Sequence, residues 1–171
     1  MNTKKQIIYR ISICAIMIGL IFLVTRFLAI PYPGGGYFNF GDSLILFTSI
    51  FVGPIEGIIA GVCGSVLGDL TSGYANFIPF TIVAKSLESI IAFIIYKLLK
   101  KHRHLKYLSL FIGSAFMCLT YFVSYIILYD INYALTQVIF DVIQALVSST
   151  IAYFLLKAFE KTNFNLNKKS E

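Results

Sequence analysis

Charge is what this sequence has least of. Only 13% of its 171 residues are Asp, Glu, Lys or Arg, against 58% hydrophobic residues. A soluble domain carries about 25% charged residues, so an aqueous globule is excluded, and a mean hydropathy of +0.82 fits an integral membrane protein. Cysteine is scarce too: Cys14, Cys63 and Cys118 lie in apolar runs without C-x-x-C or Cys/His spacing. They imply no disulfide and no metal, and read as small buried hydrophobes. The G-x-x-x-x-G-K-[ST] phosphate loop is missing, which excludes ATP hydrolysis by that route. No nucleophile stands beside a base, so an enzyme is not expected, and no cofactor is called for. His102 and His104 sit among basic residues with no carboxylate near, a poor metal site. The first apolar run follows Lys4 and Lys5 but has no small-x-small cleavage site and outruns the ~7–15 apolar residues of a signal peptide. It reads as a retained first helix.

What is present is a series of apolar runs. A helix crossing a bilayer needs about 20 mainly apolar residues, and runs of that kind are predicted at about 7–29, 40–52, 54–70, 79–99, 107–128 and 133–159. The expected architecture is an all-α, six-transmembrane-helix bundle. It forms one integral membrane domain over 1–171, with the polar tail 160–171 expected to be disordered. The second run is short for a crossing, so it is tilted in with part of the preceding loop or shielded by neighbours.

The net charge of +6 lies in loops between the runs, not in a stripe backed by a soluble fold. The bilayer, not a nucleic acid, is its partner. Twelve of the fourteen Lys and Arg residues fall before or in the first turn of the first run, between the fourth and fifth or in the adjoining last turn of the fourth, or in the last turn of the sixth and beyond it. With six crossings those three regions share one side, and the positive-inside rule makes it the cytoplasm. Both termini are then cytoplasmic in a multi-pass protein of the cell membrane.

Charged and polar groups inside the runs mark function, because each costs several kcal/mol in hydrocarbon unless paired or facing protein. The third run carries Gly57, Gly61, Gly64 and Gly68 on one helical face and ends at Asp69. Such a helix must pack tightly along its length. After a polar connection with Asn76, the fourth run carries Lys85 and, three residues on, Glu88, close enough to pair. A buried structural ion pair competes here with a ligand site. Gln137, Asp141 and Gln144 share one face of the sixth run, a polar stripe expected to face the bundle interior. Tyr121 and Tyr125 share a face of the fifth, as packing or as a surface for stacking on a ring. The segment IPYPGGGYFNFGD reads as a mobile loop with an aromatic lining, including Tyr32 and Tyr37, and polar Asn39 and Asp42. It is a lid over a pocket, or an interfacial aromatic belt with a helix cap at Asp42. By this topology Tyr37, Asn39, Asp42, Asp69, Asn76, Lys85, Glu88, Tyr121, Tyr125, Gln137 and Asp141 gather toward one outer level as candidate binding residues. Ala15 and Gly19 form a small-x-x-x-small pair on the first helix, suited to close contact with another helix of this chain or of another subunit.

The order of GGGYFNFGD, FVGP, EGIIAGVCGSVLGDL and PFTIVAKSLESIIA resembles the substrate-binding S component of energy-coupling factor (ECF) vitamin transporters, over essentially the whole chain. That resemblance implies a subunit that captures a water-soluble vitamin or precursor outside and associates with a membrane coupling subunit and two cytoplasmic ATPases. It also implies toppling in the membrane to release the cargo inside. Ala15 and Gly19 would dock on the coupling subunit, with glycine at the second position of the family's Ala-x-x-x-Ala pattern, and the loop from Pro31 to Phe40 would be the gate. A pocket offering both charge signs and aromatic walls suits a pyridoxine-, hydroxymethylpyrimidine/thiamine- or flavin-like ligand. The competing function is a self-sufficient ion-coupled transporter or channel, with Asp69, Lys85, Glu88 and Asp141 as a relay. Such transporters usually show internal repeats, and none is visible between the two halves.

Overall fold

The computed structural model describes residues 3–32 and 36–160. The expected disordered tail lies outside the described residues from position 161 onward. The elements run α1 (Thr3–Phe27), β1 (Ile30–Tyr32), β2 (Gly36–Phe38), α2 (Gly41–Phe51), α3 (Pro54–Ser72), α4 (Ile78–Leu99), α5 (Leu108–Leu128) and α6 (Ile131–Glu160). Short 3₁₀ turns precede α4 at Ala75–Phe77 and α5 at Leu105–Tyr107. Five of the helices are long and apolar enough to cross a membrane, and α2 is a shorter apolar sixth.

Eleven residues at 1.5 Å each reach only about half of a hydrocarbon layer roughly 30 Å thick. The bundle solves this by surrounding α2: it packs on α1, α3, α4 and α6, and every residue in it except Leu44 is buried. Backbone that ends at membrane depth is tolerated when protein covers it. Of the two accounts of the short run, the enclosure of α2 supports shielding by its neighbours. Ile45, Leu46, Phe47 and Ile50 of α2 join Cys14, Met17 and Ile21 of α1 in the apolar core. The Phe47 ring stacks on Phe51 at 5.0 Å and leans on Phe159 at 5.1 Å.

The glycine face of α3 serves three neighbours, α1, α2 and α4. A Cβ on Gly61 would come within 3.0 Å of Ile45 on α2, and one on Gly64 within 2.7 Å of the Ile21 side chain and 3.0 Å of the Ile18 carbonyl on α1. Gly68 is closed by Thr25, and Gly57 by Ser49 and Ser89. Without side chains on this face the helices approach to backbone contact, which lipid alone would not drive. Gly73 ends α3 at φ +86, a left-handed cap that glycine adopts without strain. Pro54 starts α3 in its first turn. Glu56, in the same turn, takes a two-point ion pair from Arg10 at 2.8 and 2.9 Å.

Large apolar side chains such as Ile16, Ile59, Ile94, Leu119 and Phe154 point outward, as expected where the surrounding solvent is hydrocarbon. Cys63 also faces outward, not into the core as its apolar context suggested. Ala15 is exposed, and nothing lies within 4 Å of a Cβ placed on Gly19. Of the two contacts open to this small-residue pair, an intrachain one is therefore not made.

Candidate functional site

The Pro–Gly-rich segment predicted as a loose loop is instead an antiparallel hairpin among its described residues: Ile30 pairs with Phe38, Pro31 with Tyr37 and Tyr32 with Gly36. Alternation along the strands turns successive side chains to opposite faces. Tyr32 stacks on Phe140 of α6 with ring centroids 4.4 Å apart. Tyr37 leans on Tyr74, and its hydroxyl donates to Asp69 Oδ1 at 2.7 Å. Burial first, and then the Asp69 carboxylate, push the Tyr37 phenol above its ordinary range, so it stays protonated and remains the donor. Burial and the Asp141 charge raise Tyr32 in the same sense.

Beneath the hairpin is a cavity of about 50 Å³. The hairpin contributes Tyr32, Gly36, Tyr37 and, just past β2, Asn39. From α3 through α4 come Asp69, Tyr74, Phe77, Thr81 and Lys85, and from α5 and α6 come Tyr121, Tyr125, Tyr133, Asp141 and Gln144. Every wall is drawn from one end of the bundle.

Two polar networks make up the floor and one side. On the side, Asp69 at the end of α3 accepts from Tyr37 on Oδ1 and from Thr81 on Oδ2 at 2.6 Å, and Thr81 lies 3.3 Å from the Tyr121 hydroxyl. On the floor, Lys85 Nζ donates to Asp42 Oδ1 at 2.5 Å, and Gln144 Nε2 donates to Asp42 Oδ2 at 2.7 Å. Gln144 Oε1 in turn accepts the Asn39 backbone N–H at 2.8 Å. Asn39 Oδ1 accepts the Gly41 N–H and the Thr25 hydroxyl at 2.8 and 2.9 Å, and Asp42, expected as a helix cap, lies instead inside the first turn of α2, whose N-cap is Phe40. Lys85 Nζ also sits 5.3 Å from the centre of the Tyr121 ring.

Lys85 thus pairs with Asp42, not chiefly with Glu88 as the three-residue spacing suggested; Glu88 Oε2 is 4.0 Å away. A helical side chain leans over the turn N-terminal to its own Cα, which carries Lys85 toward the cavity and away from Glu88. Glu88 Oε1 instead accepts from Ser114 on α5 at 3.1 Å. Of the predicted residues, the structure brings Tyr37, Asn39, Asp69, Lys85, Tyr121, Tyr125 and Asp141 to the cavity wall. It sets Asp42 and Glu88 behind Lys85, fully buried. Gln137 is buried on the same stripe as Asp141 but does not line the cavity, and Asn76 is exposed on the 3₁₀ turn. Tyr74, Phe77, Thr81 and Tyr133 were missed. Each is one more aromatic or hydroxyl residue in a membrane sequence, and only the convergence of chain ends distinguishes it.

A second, apolar cavity of about 260 Å³ is lined by Ile30, Phe38 and Phe40 and by the α6 residues Ile143 and Val147. Asn39 and Gln144 border both cavities.

Comparison with known proteins gives three likenesses. The family model for the ECF-type riboflavin transporter, S component, matches residues 5–161. An uncharacterized protein in a gap 3' region of Pyrococcus woesei is 31% identical over 140 residues, covering 79% of this chain and 93% of that one. The thiamine precursor transporter HmpT of Lactococcus lactis subsp. cremoris (strain MG1363) is 24% identical over 161 residues, covering 91% of this chain and 90% of that one.

Proposed function

The chain belongs to the ECF-type riboflavin transporter S component family, and from that premise we propose that it is the vitamin-capturing subunit of an ATP-driven uptake complex. It is a multi-pass membrane protein whose own sequence has no phosphate loop, so the energy comes from partners: a membrane coupling subunit and two cytoplasmic ATPases. The observation that carries the reading is the cavity closed by the hairpin and walled by tyrosines and by Asp69, Lys85 and Asp141. A concave, mostly aromatic space with a few placed polar groups is what a small-molecule site requires.

The cavity opens to the outside and both termini lie in the cytoplasm, a reading supported by the distribution of basic residues. The hairpin is the gate. Its two anchors, Tyr37 on Asp69 and Tyr32 on Phe140, hold it shut over the ligand. Ala15 and Gly19, bare on the outer face of α1, dock on the coupling subunit. The ligand is a water-soluble vitamin or precursor of the pyridoxine, hydroxymethylpyrimidine/thiamine or flavin kind. The similarity to HmpT, a thiamine precursor transporter, favours the second of these.

Purified protein in detergent, titrated calorimetrically with each B vitamin and with hydroxymethylpyrimidine, should bind at least one at micromolar concentration or below. Absence of binding by all of them would overturn the reading. The ion-coupled alternative predicts instead that the chain alone drives uptake into liposomes under an ion gradient.

A further inference from the structure

The charges around the cavity do not balance. Lys85 is the single cation in its wall, and its ammonium is already spent on Asp42 and, at longer range, Glu88. The two carboxylates that reach the cavity, Asp69 and Asp141, have no cationic partner among the described residues. Their situations differ. Both oxygens of Asp69 accept short hydrogen bonds, from Tyr37 and Thr81. Asp141 has one oxygen in a long 3.4 Å contact from the Tyr125 hydroxyl, while Oδ2 is buried and accepts nothing. The residue is only 3% exposed. A buried carboxylate oxygen without a donor costs free energy that a bound donor would recover. Around Asp141 stand Tyr32, Tyr125 and Tyr133, and electron-rich ring faces attract a cation.

We propose that Asp141 Oδ2 is the specificity-determining contact of this site, and that the pocket selects a flat heteroaromatic ring bearing an amine or cationic nitrogen, whose N–H docks there. This rests on the reading of the chain as a capture subunit and narrows it: aminopyrimidine- and aminomethylpyridine-type compounds are favoured, and an uncharged flavin is disfavoured.

The test is calorimetry on the purified full chain with matched probes: hydroxymethylpyrimidine bearing its ring amine, thiamine, pyridoxamine, pyridoxine and riboflavin. The amine-bearing member of the pyridoxamine and pyridoxine pair is expected to bind tighter by roughly ten- to a hundred-fold, the range for a hydrogen bond to a charged group. Asp141→Asn keeps the shape and the acceptor for Tyr125 but removes the charge, and should erase that preference. Equal affinity for the matched pair on the wild-type protein overturns the inference even if the variant fails to fold. So does riboflavin as the tightest probe, or an amine preference that survives Asp141→Asn. In those outcomes vitamin capture itself stands. Failure of every probe and every B vitamin to bind would overturn both.

Discussion

Replacing Lys85 with methionine keeps an unbranched side chain one atom shorter and removes the ammonium that faces Asp42 at 2.5 Å and Glu88 at 4.0 Å. Lys85 is 1% exposed and both partners are fully buried, so water cannot take over its role. Breaking a buried ion pair from one side costs roughly 3–5 kcal/mol, because the stranded charge keeps its desolvation penalty. At about 2–4 °C per kcal/mol for a chain of this size, the melting temperature should fall by about 6–20 °C. Neutralising the stranded partner should recover much of the loss. Lys85→Met with Asp42→Asn is expected to be more stable than Lys85→Met alone, with a coupling of about 1–3 kcal/mol. With no tryptophan in the sequence, unfolding is best followed with a thiol-reactive dye. Cys14 and Cys118 are buried and report on opening, while Cys63 is exposed and sets the baseline. A melting temperature within about 2 °C of the parent for Lys85→Met, or a double variant no better than the single, would refute the claim that this ammonium compensates the buried carboxylates.

Three further outcomes follow from the same contacts. Gly64→Val, which drives a side chain into Ile21 and the Ile18 carbonyl, should cost about 1–3 kcal/mol in the same melting assay; Gly19→Val, with nothing in its way, should leave stability intact but abolish co-purification with a coupling subunit. Tyr37→Phe removes the donor to Asp69 Oδ1, and a loss of about 1–3 kcal/mol should appear as faster ligand release in stopped-flow chase, whereas unchanged release would show that the hairpin is not the gate. On a cysteine-free background in intact cells, Asn76→Cys should label with a membrane-impermeant thiol reagent and Lys101→Cys only after permeabilisation; the reverse pattern would invert the topology.

Period and composition carried the architecture because both are local. Apolar runs long enough to cross, the glycine spacing of α3 and the polar stripe of α6 each lie within one helix, where 3.6 residues per turn dictates the shared face. The family signature was equally legible, since it is a matter of residue order. Helix α2 shows the limit of such reading: its length was plain, but whether it tilted or was enclosed depended on four other helices. The segment after α1 shows another, since in a stretch that reads as unconstrained the described arms Ile30–Tyr32 and Gly36–Phe38 pair as strands, with Tyr32 on Phe140 and Tyr37 on Asp69.

What this sequence determined by itself is therefore the solvent it folds in, the number of helices and the existence of a buried polar level. Hydrophobicity and helical period leave little freedom in those. Which polar group meets which was decided only by the tertiary structure. Lys85 has a carboxylate three residues away and takes one 43 residues away instead, because its side chain leans toward the helix N-terminus and α2 presents Asp42 there. Asp141 carries no sign in the sequence that one of its oxygens would be left without a donor. That follows only from where α5, α6 and the hairpin place their tyrosines, and from the fact that Lys85 already belongs to Asp42.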